Sequence, residues 1–407
     1  MDAKKGKELL DTILDLGASL IQTGADTNKT EVNLYRICAG YGFQKCNIWV
    51  VPSNIQASVT TPEGEDITLI RHIRNRSTDY TRLADLNDLA RRIAADPLEP
   101  EKLRETFAAI QSRQEKPEIF LYLAGILGGL GFGVFFGCGA LDAIVAGCAS
   151  FLVAFLGQKL ARYEKNQMVY NFVLSFLAEV FIILAVHTGF GKHIGYISIG
   201  IVMLLISGLG VTTGIKDFLH QDTLSGVIRI SDSLSGAIGI AFGVGLPLFL
   251  FQSAGESEVI MLNPSVLLQL VFCTVGCAGF ALWFKVKWQH IAPCALGALL
   301  TWAVFLLARE ETGGSFTASF IAAVICAAYS QIMARVCGAP AVIFNSVSVF
   351  PLIPGAALYY TMFGIVTGSI ALAREQGISL ISTCFAIVLG MMVVEVIVRS
   401  CKSLLRR

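Results

Sequence analysis

With 407 residues the chain has room for two or three soluble domains, yet 54% of it is hydrophobic and only 15% charged. That balance points instead to a polytopic membrane protein. A formal net charge of +1, with no basic cluster, excludes nucleic acid as a partner.

The charges are uneven. Residues 1–118 carry 34 of the 61, 16 basic and 18 acidic, so the chain divides into a soluble head and an apolar body. Acidic residues interrupt the first apolar stretch, which argues against a signal peptide. In the head, Leu9, Leu10, Ile13, Leu14, Leu16, Leu20 and Ile21 form one stripe of a helix over 8–22. Gly24 ends it, and a second helix over 28–39 stops at Gly40 and Gly42. The period then changes to that of an antiparallel meander, over 45–51, 55–61 and 66–73. Helices return at 83–95 and 100–114. This is a small α+β domain. Its one notable polar turn, residues 24–31, reads as an N-cap in which Thr27 or Asn28 caps the second helix. A catalytic use of Asp26, Thr27 and Glu31 with His72 lacks any readable nucleophile–base spacing. The arginines between Arg71 and Arg92 read as a solvated face or a surface for anionic headgroups.

From Ile119 onward, ten candidate spans follow: 119–137, 140–158, 168–188, 194–213, 225–251, 264–284, 290–308, 316–336, 341–361 and 378–398. Each approaches the length needed to cross about 30 Å of hydrocarbon. The ninth has an alternative reading over 341–373, as a re-entrant break plus a short helix. Glycines 125, 128, 129, 131, 133 and 137 make the first span a small-residue ridge suited to close helix contact.

With the head inside, the inner loops and tail carry eleven basic residues: Lys159, Arg162, Lys165, Lys216, Lys285, Lys287, Arg335, Arg399, Lys402, Arg406 and Arg407. The outer loops carry three: Lys192, Arg309 and Arg374. That bias favours ten spans with both termini cytosolic. Five spans precede the acidic outer loop at Glu256 and Glu258 and five follow it. The fold expected is therefore a polytopic α-helical membrane protein: a cytosolic α+β head (1–118) and two five-helix halves (119–252 and 262–401). An odd number of spans per half makes the repeat an inverted one.

The segment Val342–Tyr360 is apolar enough for a membrane yet holds Asn345, Ser346, Pro351, Pro354 and Gly355. Each proline removes a helical hydrogen bond, leaving the carbonyls of Val347 and Phe350 in need of other donors. Broken helices at membrane depth survive inside protein or beside a water-filled cavity, and they mark transporter binding sites. The partner break in the first half falls at Ser207-Gly208, in a stretch dense in glycine and threonine. Here Asn345 or Ser346, with the freed carbonyls, suits a substrate ammonium, and helix N-terminal amides suit its carboxylate.

Ionisable groups at membrane depth are functional candidates by default. Glu179, alone among apolar neighbours, is a candidate proton carrier or a carboxyl hydrogen-bonded to a Ser or Asn of a neighbouring helix. Arg229 and Asp232 lie three apart on one face, as a self-neutralising pair or as groups for substrate carboxylate and coupled proton. Glu395 sits one turn before Arg399 and is expected to pair with it. Asp217 caps the segment that follows or takes part in coupling. His187 and His193 flank an outer loop as bystanders or minor relays. The eleven cysteines read as small buried hydrophobes. Cys273 and Cys277 lack His or acidic company, so no metal, disulfide framework or cofactor is expected.

The chain resembles the threonine/serine exporter (ThrE) family along essentially its whole length. The resemblance rests on Gly24-Ala25-Asp26-Thr27, on Leu83…Leu86-Asn87-Asp88-Leu89, on Asp217 ahead of Ser225-Gly226, and on Pro351-Leu352-Ile353-Pro354-Gly355. Where the family often has Pro-Gly, this chain has Ser207-Gly208. The resemblance implies proton-driven export of small amino acids or related carboxylates across the cytoplasmic membrane, with substrate and protons as partners and a homo-oligomer left open. A hydrolase seated in the head and a small-solute channel are the competing readings.

Overall fold

The computed structural model describes residues 3–74, 77–113, 116–206, 208–251 and 264–404. Ser207, Arg76, Glu256, Glu258, Arg406 and Arg407 lie outside the described residues, as does the side chain of Lys402. The chain groups into two compact units: Met1–Lys116 with Phe284–Lys287, and the remainder.

The head contains α1 (Ala3–Gln22), α2 (Thr27–Gly40), β1 (Gln44–Val51), β2 (Asn54–Thr60), β3 (Asp66–His72), α3 (Tyr80–Ala95) and α4 (Pro100–Gln111). The strands form one antiparallel sheet in the order β1-β2-β3. The predicted stripe of α1 is buried at every position from Leu9 to Ile21 named above, because its apolar residues recur at helical spacing and face the sheet and α2. The polar turn departs from expectation in detail. Asp26, not Thr27 or Asn28, is the N-cap of α2, and Thr27 and Thr30 are buried. Glu31 accepts the Val50 amide at 3.1 Å, so its carboxylate ties α2 to β1. Burial, with a smaller contribution from Cys46, pushes the Cys38 thiol up to about 12, which suppresses thiolate chemistry there.

The head also takes in four residues that lie far along the chain, Phe284–Lys287, expected as the end of the sixth span and a short basic loop. The carbonyl of Phe284 accepts the Tyr80 amide at 3.0 Å, and that of Val286 accepts Lys116 Nζ at 2.6 Å. Val286 is fully buried, and Lys287 Nζ lies 2.8 Å from Asp85 Oδ1.

The second unit is all helix: α5 (Glu118–Phe136), α6 (Ala140–Leu160), α7 (Gln167–His187), α8 (Ile194–Leu205), α9 (Gly208–Leu219) and α10 (Thr223–Leu250), then α11 (Val266–Trp283), α12 (Trp288–Thr312), α13 (Ser315–Val336), α14 (Ala341–Ser348), α15 (Gly355–Thr367) and α16 (Ile370–Leu404). Among the described residues eight helices are long and apolar enough to cross a membrane, or ten spans if each bent pair counts as one. The bent pairs are α8 with α9, turned by 48°, and α14 with α15, turned by 56°. Each half therefore runs as three unbroken helices, a broken pair and a long helix. This is the polytopic helical fold expected from the hydropathy. The ninth segment is the broken alternative rather than one continuous span, and α16 starts early enough to take in Arg374, expected in an outer loop.

Glycine sets the packing. α5 turns one face to α6, where a Cβ on Gly125 would sit 3.0 Å from the Ser150 carbonyl. Its opposite face meets α11: Gly128 against Gly279, and Gly131 against Gly276. The numbers rise on one helix as they fall on the other, so the first helices of the two halves cross antiparallel with backbones in contact.

Candidate functional site

The two breaks meet. α8 ends at Leu205, and Gly355 opens α15 against it. A Cβ on Gly355 would lie 2.7 Å from Met203 Sδ and 3.1 Å from Ile206 Cγ2. Glycine is what lets the backbone come this close. The second break is built from Pro351 and Pro354. After Ser348, residues Phe350–Leu352 tighten into one 3-10 turn, and Ile353 turns extended. The Phe350 carbonyl, expected to be free, accepts the Ile353 amide at 3.1 Å. The 3-10 turn thus satisfies a group that the α-helical ladder would have left open. Pro351 and Gly355 are buried and Pro354 half-buried.

Just beyond the meeting point lies Glu179, only 1% exposed. Its carboxylate oxygens stand 3.0 and 2.8 Å from Ser198 Oγ, the neighbouring-helix serine that a lone carboxyl in an apolar helix requires. Tyr359 and Tyr360, on α15, lie near enough to feel its charge, and Tyr196, on the first break's helix α8, lies near Tyr360. The surrounding core draws on both halves: Ala178 and Ile182 of α7, Ile197 and Ile201 of α8, and Leu358 and Met362 of α15. Glu179 and Gly355, singled out separately in sequence, thus belong to one neighbourhood. Sequence reasoning missed Ser198, Tyr359 and Tyr360. The tyrosine pair had a signal, two polar-tipped aromatics one helical turn past a Pro-Gly break.

Other predicted residues fall elsewhere. Asn345 meets Cys326 and Met391, with its Nδ2 3.6 Å from Met391 Sδ, and Ser346 is buried on the same short helix. These contacts of Asn345 are within the second half. Gly208 begins α9. Asp217 and Arg229 join: Arg229 Nε donates to Asp217 Oδ2 at 2.9 Å, linking α9 to α10. Glu395, expected to answer Arg399, instead holds Lys216 at 2.7 Å and His220 at 3.5 Å. Lys216 is therefore not a loop charge but part of α9. Asp232 lies on an exposed face of α10. Beneath these charges Gly214 and Gly226 bring α9 and α10 together, each blocking a Cβ on the other, which explains the glycine of the Ser225-Gly226 pair. Near the loop between α7 and α8, Asp142 of α6 is buried and accepts the Lys192 amide at 2.6 Å, while His193 Nδ1 lies 2.9 Å from it. His193 thus helps anchor the start of α8. Among the described residues no cluster of three or more His, Cys, Asp or Glu has metal-binding geometry.

Residues 11–251 match the model of the ThrE family of threonine/serine exporters, and residues 269–397 match a second one, described as "Threonine/Serine exporter, ThrE". The curated relatives include a "Probable threonine/serine exporter" of Mycobacterium tuberculosis (strain ATCC 25618 / H37Rv), 22% identical over 88% of this chain and 70% of its own length. They also include a "Threonine/serine exporter" of Corynebacterium glutamicum, 22% identical over 94% of this chain and 81% of its own length. No solved structure matches. The two family models follow the same division that the broken helices draw, one over the head with α5–α10 and one over α11–α16. This multi-pass membrane protein belongs to the threonine/serine exporter (ThrE) family.

Proposed function

We propose that the protein is a secondary active exporter of small amino acids of the threonine or serine type, or of related small carboxylates, driven by proton antiport. The observation that carries this reading is the contact of two broken helices at Gly355, Met203 and Ile206, one from each half, beside a fully buried carboxyl. Broken helices at membrane depth persist only inside protein or beside a water-filled cavity, and in transporters they form the binding site. An ionisable group at that depth is costly and is a functional candidate by default. The names of the relatives support the amino-acid substrate.

In this reading Glu179 carries the coupled proton and the break at Pro351–Gly355 contacts the substrate. The antiparallel crossing of α5 and α11 supports an inverted repeat, and the loop charges support cytosolic termini in the cytoplasmic membrane. Antiport is energetically sufficient. One charge crossing 100 mV is worth about 2.3 kcal/mol, a concentration ratio near fifty. Purified protein in proteoliposomes loaded with labelled threonine, serine and short dicarboxylates tests this. Release that quickens with an imposed pH gradient, for at least one of these solutes, is the expected result. No solute-specific release under any gradient rejects it, and single-channel conductance would replace it with a channel.

A further inference from the structure

Glu395 sits on α16, in the second half, but its carboxylate is spent on α9, in the first. Lys216 Nζ lies 2.7 Å from Oε1 and His220 Nε2 3.5 Å from Oε2. Lys216 lies in the last turn of α9 and His220 one residue past its end, four positions on, so the two face the same way, and His220 Nδ1 also lies 2.9 Å from the Lys216 carbonyl. Higher on the same interface, Thr212 Oγ1 lies 3.9 Å from Cys384 Sγ, both buried. The other side of α9 is tied to α10 by Arg229 and Asp217.

α9 is thus a short helix with a bend at one end and charged fastenings at the other. The Lys216 and Glu395 side chains keep only 15% and 23% of their exposure. A half-buried pair of this kind has two settings, joined or separately hydrated, and an unpaired charge left in place is costly. This pair joins a helix that follows a break to a helix of the other half.

We propose that Glu395 is a positioning residue that latches α9 to α16 through Lys216 and His220, and that this latch closes the substrate path on the side of the α9–α10 turn. The proposal rests on the transporter reading above; in its orientation that side is the cytosolic, loading side. Releasing the latch lets α9 part from α16 and uncovers the interface at Thr212 and Cys384.

Two measurements on the full chain test this and separate its failure from that of the transporter reading. In detergent, without transport, the rate at which a small maleimide alkylates Cys384, followed by peptide mass spectrometry, should rise about tenfold in Glu395→Gln, as for an interhelix coupling of ordinary size. It should return towards the parent rate in the charge-exchanged pair Lys216→Glu with Glu395→Lys. In proteoliposomes, Glu395→Gln should keep solute exchange at equal concentrations while losing gradient-driven accumulation, which a misfolded variant could not do. Unchanged Cys384 labelling, or an exchanged pair no better than Lys216→Glu alone, overturns the latch. A parent that transports nothing while its Cys384 responds as described counts against the transporter reading only.

Discussion

The hydroxyl of Ser198 faces three acceptors with one proton: the two oxygens of Glu179 at 3.0 and 2.8 Å and its own helix carbonyl, Ile194 O, at 2.8 Å. If Glu179 is ionised, Ser198 must turn its proton to the carboxylate. If Glu179 is protonated, the carboxylic acid donates to Ser198 and the serine proton returns to Ile194. A serine can serve both states without moving an atom heavier than hydrogen. Ser198→Ala should therefore cost about 1–3 kcal/mol by leaving a buried carboxyl with one partner fewer. Glu179→Gln combined with Ser198→Ala should be non-additive by about 0.5–3 kcal/mol, since the residues touch. Thermal unfolding of the four purified proteins checks this, and strict additivity would break the link.

Removing the proton-binding group separates coupling from binding. Glu179→Gln keeps the size and a hydrogen-bonding group but takes up no proton. In the proposed role, its vesicles should still exchange labelled for unlabelled solute, while accumulation driven by 100 mV falls from a ratio near fifty towards one. Accumulation equal to the parent's would exclude Glu179 as the coupling site.

Much of this arrangement was legible in the sequence because membranes impose strong local rules. The spans followed from unbroken apolar runs, and the break at Pro351–Gly355 followed from missing amides, which no tertiary contact can supply. The α1 stripe followed from helical spacing alone. What stayed hidden was every relation between distant segments. Arg229 and Asp232 looked like a pair because they lie three apart, yet Arg229 reaches Asp217 on α9. Glu395 looked committed to Arg399, one turn away, yet it holds Lys216 and His220. Phe284 read as the end of a span and Lys285–Lys287 as a plain loop, because nothing local says that Val286 is buried within the head. Asn345 and Ser346 were attractive as polar groups beside a break, and the contacts of Asn345 with Cys326 and Met391 depend on helix rotation that periodicity leaves undetermined.

Gly355 should be limited by size on the side facing α8. A methyl group there meets the end of the flexible Met203 side chain and the less yielding Ile206. Gly355→Ala should therefore fold, with reduced transport, and Gly355→Val should lose it. Met203→Ala should restore part of the activity of Gly355→Ala by vacating the space its sulfur occupies. Overpacking of this kind costs about 1–3 kcal/mol. Transport rates of the single and double variants decide it, and a Met203→Ala change that gives no relief would show that the breaks do not press on one another.

The α5–α11 crossing is less forgiving, because backbone rather than side chain stands in the way. A Cβ on Gly131 would fall 2.5 Å from the Gly276 nitrogen and 2.6 Å from its Cα. No rotamer change can relieve that, so the helices must separate along their whole contact. The neighbouring pair, Gly128 and Gly279, would lose its close approach as well. Gly131→Ala should cost at least as much as a severe overpacking change, about 3 kcal/mol, and appear as a lower unfolding temperature. Gly139→Ala is the control: its Cβ would meet nothing within 4 Å, and its backbone, at φ −69°, suits alanine. Equal melting of Gly131→Ala and Gly139→Ala would mean that the first helices of the two halves do not cross at these glycines.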